Sequence, residues 1–166
     1  MALIIFSIFV HQALFMTQSL PPKSLVLYAD DDIDDIELIS DAFSKYARNV
    51  ELLTFEDGAE LLSYLQHIDS FQPAPCLIIL DINMPRMDGK QTLKRLRNMN
   101  GYAEIPTVLF STSTMPSDAA FARNHNAGFV TKPLLFEQVH HIIDQIIEHC
   151  TDEVKKMIRN EKNGGK

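Results

Sequence analysis

The chain has 166 residues, enough for one domain, and its 46% apolar content can fill a core. A formal net charge of −7 excludes the basic face of a general nucleic-acid binder. Cys76 and Cys150 stand far apart with no Cys-x-x-Cys pair, which argues against a zinc site and makes reduced thiols in a cytoplasmic protein the expectation.

In chain order, Met1–Met16 reads MALIIFSIFVHQALFM, apolar but interrupted by His11-Gln12 and with no Lys or Arg ahead of it. That is shorter than the roughly 20 apolar residues of a spanning helix, and it lacks the positive start of a secretory signal. A weak membrane anchor, a degenerate signal and an early start codon are three readings. The third is expected, with Met16 as initiator and residues 1–23 as a leader outside the domain.

From Ser24 onward apolar runs alternate with helical periodicity. Leu25–Ala29 (LVLYA), Cys76–Leu80 (CLIIL) and Thr107–Phe110 (TVLF) suit strands buried on both faces of a parallel sheet. Val50–Phe55 and Phe129–Val130 are two more candidates. Between them, helical stripes run through Ile36, Ile39, Phe43 and Tyr46, through Leu61, Leu62 and Leu65, and through Leu93, Leu96 and Met99. Pro116–Asn126 is less periodic, and Leu135, Val139, Ile142, Ile143 and Ile146 form the clearest stripe. Five strand–helix alternations predict an α/β fold, a doubly wound five-stranded parallel sheet with helices on both faces and right-handed crossovers. Residues 24–150 form that domain, and 151–166 read as a solvated polar tail leaning basic through Lys155, Lys156, Arg159, Lys162 and Lys166.

The strand ends carry the chemistry. The first is followed by Asp30-Asp31-Asp32, the third by Asp81, the fourth by Ser111 and the fifth by Thr131-Lys132-Pro133. Open parallel sheets bind ligands beyond the carboxyl ends of their strands, so these distant residues are expected to converge. Clustered carboxylates repel and demand a cation, and an all-oxygen set favours Mg2+. A carboxylate beside Mg2+ is a competent nucleophile toward phosphorus, with Ser111 and Lys132 placed to hold the phosphoryl oxygens.

The stretches YADDDIDDIELI, LIILDINMPRMDG, IPTVLFSTS and AGFVTKP resemble the receiver domain of two-component response regulators over roughly Ser24 to Cys150. The resemblance implies a flavodoxin-like sheet in the order 2-1-3-4-5. It implies that Asp81 is the phosphoacceptor, that Asp31 binds Mg2+ directly and Asp30 through water, and that Asn83 supplies its backbone carbonyl. Ser111 and Lys132 would contact the phosphoryl group, and Phe129 takes the switch-aromatic position. The Asn83 side chain and Ser113 would tune phosphoryl lifetime, and the Lys132–Pro133 bond would be cis. The partners implied are a sensor histidine kinase or a histidine phosphotransfer protein, and an unidentified downstream protein at the fourth helix, fifth strand and fifth helix. A homodimer is compatible with the resemblance, and nucleic acid is not an expected partner.

Asp30, Asp31, Asp32, Asp34 and Asp35 hold more acid than a metal needs, and Asp32 reads as the N-cap or first-turn acid of the next helix. An EF-hand would need Gly where Asp35 stands and Glu where Asp41 stands. A haloacid-dehalogenase-type phosphatase would need an acid where Asn83 stands. A pseudo-receiver, a constitutive protein-binding module, is the remaining rival. His140 and His141 read as helix-surface residues.

Overall fold

The computed structural model describes residues 23–68, 74–133 and 139–159. The leader, apart from Lys23, lies outside them, as does Leu135 of the last predicted stripe. Strands β1 (Ser24–Ala29), β2 (Val50–Phe55), β3 (Pro75–Asp81), β4 (Thr107–Ser111) and β5 (Gly128–Thr131) form one sheet. All pairings are parallel and the order is β2-β1-β3-β4-β5. Helices α1 (Ile33–Ser44), α2 (Gly58–His67), α3 (Gly89–Leu96), α4 (Pro116–Asn124) and α5 (Val139–Glu148) alternate with the strands, and α6 (Asp152–Arg159) follows.

The continuous apolar runs are explained by two cores. Alternate strand residues point to opposite faces. Val26, Tyr28, Leu77, Ile79, Val108, Phe110 and Val130 pack with α1, α5 and α6. Leu25, Leu27, Ala29, Ile78, Leu80 and Leu109 pack with α2, α3 and Ala122 of α4. Each fully buried Leu or Ile contributes about 1.5–3 kcal/mol relative to exposure, so the sheet is anchored on both sides. Among the described residues no helix is long and apolar enough to cross a membrane.

Two expectations change. The stretch after Thr151 is not a solvated tail throughout, because Val154 and Ile158 of α6 are buried in the α1–α5 core. Lys155 and Arg159 turn their charges to Glu148, each 2.9 Å away, and Asn49 Nδ2 donates to the Ile158 carbonyl at 3.2 Å. Lys155, Lys156 and Arg159 therefore lie on the wet face of an amphipathic helix. The Lys132–Pro133 bond is trans, as no described peptide bond is cis. Trans is the default for an X–Pro bond by about 0.5–1 kcal/mol.

Candidate functional site

The acids at the carboxyl end of the sheet divide into two groups. Asp32, Asp57 and Asp88 are helix N-caps, accepting from the backbone N–H of Asp34 at 2.9 Å, Glu60 at 2.9 Å and Gln91 at 2.7 Å. Asp32 thus has the capping role its position predicts. Asp57 also takes Arg86 Nε, joining the β2–α2 and β3–α3 loops.

Asp30, Asp31 and Asp81 have no helix to cap and meet in the crevice. One carboxylate oxygen from each lies within 4.8 Å of the other two. Asp30 and Asp81 are buried and Asp31 is exposed, so the cluster is open to solvent on the Asp31 side. This hard, all-oxygen, anionic set fits Mg2+ or Mn2+ and does not suit a thiophilic metal.

Lys132 supplies the opposing charge. Its Nζ lies 2.7 Å from Asp30 Oδ2, 2.7 Å from Asp35 Oδ2 and 2.8 Å from Asp81 Oδ1. Burial alone would push its pKa down, but the three carboxylates outweigh burial and hold it above the usual lysine value. Burial pushes the Asp81 carboxyl up, against Lys132 and the Asn83 backbone N–H, which donates to Asp81 Oδ2 at 2.6 Å. Asp81 is therefore a buried carboxylate opposed by one lysine.

Sheet register places the other residues. Asp81 pairs with Phe110, so Ser111 stands one step beyond it on the neighbouring strand, and Ser111 pairs with Thr131. The Lys132 backbone N–H donates to the Ser111 carbonyl at 2.8 Å, tying the β4 and β5 ends together. Ser111 is buried, and its Oγ accepts from the Ser113 backbone at 3.1 Å. The Ser113 hydroxyl and Lys90 Nζ each lie 2.6 Å from Asp118, which links α3 to α4. Phe129 is half-buried beside Leu109 on the α2–α4 side of the sheet, and the Asn83 residue is exposed.

Two site residues have no role in the sequence reading. Tyr28 is fully buried on β1 and donates its hydroxyl to Asp30 Oδ2. Burial, and then the Asp30 charge, push the phenol well above its ordinary pKa, so it stays a donor. Asp35 is the second, visible only as one acid among five. Its position five residues past Asp30 puts it on the first turn of α1, facing back to Lys132.

Residues 26–144 match the model of the response regulator receiver domain. The chain belongs to that family. Receiver domains are signalling domains, and the observed sheet order is the CheY-like one. The probable methanogenesis regulatory protein FilR2 of Methanothrix harundinacea is 28% identical over 75% of this chain and 82% of its own length. Response regulator Rcp1 of Synechocystis is 30% identical over 61% of this chain and 69% of itself. Among solved structures, the phosphorylated cyanobacterial phytochrome response regulator RcpA superposes with a TM-score of 0.70 at 27% identity, covering 79% of this chain and 96% of that one. The Mn(2+)-bound form of Rcp1 gives 0.64 at 25% identity, over 72% and 91%. The family match ends before α6 begins.

Proposed function

We propose that this receiver domain acts in the cytoplasm as part of a two-component response regulator, accepting a phosphoryl group on Asp81 from a phosphohistidine of a sensor kinase or phosphotransfer protein. The observation that carries this reading is the position of Lys132 Nζ, 2.8 Å from Asp81 Oδ1, inside a carboxylate cluster that needs a cation. An Asp81 oxygen attacks phosphorus, an O–P bond forms as the P–N bond breaks, and the departing imidazole takes a proton. A bound Mg2+, held by Asp31 and Asp81 directly, by Asp30 through water and by the Asn83 carbonyl, would neutralise charge on the carboxylates and the phosphoryl group. Asp30 suits the indirect role because Tyr28, Lys132 and the Asp32 N–H already occupy both its oxygens. The solved relatives, one phosphorylated and one holding Mn(2+), support the same chemistry here.

Ser111 and Lys132 then hold the phosphoryl oxygens, while Asn83 and Ser113 set their accessibility to water. Movement of Ser111 carries the β4–α4 loop with it, and Phe129 changes exposure. The α4–β5–α5 face, altered in this way, is the output surface for a downstream protein. Phosphorylation biases a two-state element through contacts worth a few kcal/mol.

The test is incubation with acetyl phosphate and Mg2+, with mass spectrometry locating the modified residue and sizing before and after. Label on Asp81, lost in Asp81→Asn and without Mg2+, is the expected result. Label persisting in Asp81→Asn overturns the assignment, and no label in the wild type leaves a constitutive protein-binding module.

A further inference from the structure

We propose that Asp35 is a positioning residue: it holds Lys132 in the unphosphorylated chain and releases it to the phosphoryl group, so that it limits the lifetime of the acyl phosphate. The inference rests on the function proposed above.

A lysine ammonium has three N–H donors. Lys132 has three carboxylate oxygens at 2.7–2.8 Å, so its donors are all taken before any phosphoryl group arrives. Phosphorylation replaces the Asp81 carboxylate with a group of greater negative charge that needs more than the single bond Asp81 now receives from Lys132. One of the other two carboxylates has to yield.

The two differ in what yielding costs. The Asp30 side chain is 1% exposed and also bonded by the Tyr28 hydroxyl and the Asp32 N–H, so it is locked in place by three donors. Leaving a buried carboxylate short of a partner is expensive. The Asp35 side chain is 28% exposed and stands on the first turn of α1, where water can replace Lys132 and the helix N-terminus still favours its charge. Asp35 is the ligand that exchanges. It also remains beside the site, opposing the phosphorylated state and competing for Lys132, the buried cation near it among the described residues. The acidic cluster of Asp30, Asp31 and Asp81 does not include it.

Asp35→Asn keeps the shape of the side chain and removes the competing charge. At saturating Mg2+ the variant is expected to bind beryllofluoride about fivefold more tightly, and its acyl phosphate to decay about fivefold more slowly, with an unchanged melting temperature. Both quantities within about twofold of wild type would overturn the proposal, because exchange at Asp81 alone would then suffice. A second measurement needs no variant. In the wild-type protein with Mg2+, the carboxyl carbon-13 resonance of Asp35 is expected to shift toward its solvated position when beryllofluoride is added, and an unmoved resonance would count against release. If the wild type takes no label on Asp81, the proposed function itself fails. If it does and Asp35→Asn behaves as wild type, only the role of Asp35 is lost.

Discussion

The Ser113 hydroxyl is bonded to Asp118 Oδ2 at 2.6 Å, which ties the residue two past Ser111 to α4. Lys90 holds the other oxygen, and these two bonds keep the Asp118 carboxyl below the usual carboxylate range, the Lys90 bond contributing most. A carboxyl with a depressed folded-state pKa adds stability above its unfolded value, and that stability is lost as pH falls through the folded value. Asp118→Asn is therefore expected to be less stable than wild type at neutral pH, with the gap closing below about pH 4. Urea midpoints measured across that range check it. Ser113→Ala should show part of the same loss.

Gly89 opens α3 directly against Asp81, and a Cβ there would run into the Asp81 carbonyl oxygen, which is backbone and cannot turn aside. Gly89→Ala should cost about 3 kcal/mol, at the upper end for overpacking, because strand and helix must part. Denaturant unfolding reads the cost, and weakened labelling of Asp81 would report the displaced strand end.

Helix α6 lies beyond the family match yet completes the core. Ile158 is fully buried against the α1–α5 side, so Ile158→Ala should destabilise the domain by about 3 kcal/mol. Met157→Ala, on the exposed face of the same helix, should fall within about 0.5 kcal/mol of wild type. Equal effects from the two changes would mean that α6 does not pack as described.

The two thiols are predicted to be inert. Burial pushes Cys76 up to about 11 and Cys150 up to about 12. Neither should react with a thiol reagent at pH 8 in the folded protein, and both should react in urea. A group whose folded-state pKa is raised contributes stability that is complete below its unfolded value and is lost as pH climbs. These thiols should therefore weaken the fold only from about pH 9 upward.

By itself, the sequence determined the sheet and pointed to most of the residues proposed for the site. Runs such as LVLYA and CLIIL are apolar at every position because both faces of β1 and β3 are covered, and that signal is local. Strand ends are local too, which is why Asp30, Asp81, Ser111 and Lys132 stood out before any contact was known. The capping role of Asp32 was equally legible, since its partner Asp34 is two residues away. Only the tertiary structure decided the partners. Lys132 meets Asp35 across 97 residues and Asp30 across 102, and which of five acids it would choose depends on how far α1 turns before its first-turn side chains face β5. Tyr28 reads as one more strand residue until the register brings its hydroxyl to Asp30, and α6 reads as tail until Val154 and Ile158 find the core. Composition and periodicity record which face of an element is apolar. They do not record which distant charge stands opposite a given polar atom, and at this site those oppositions carry the proposed chemistry.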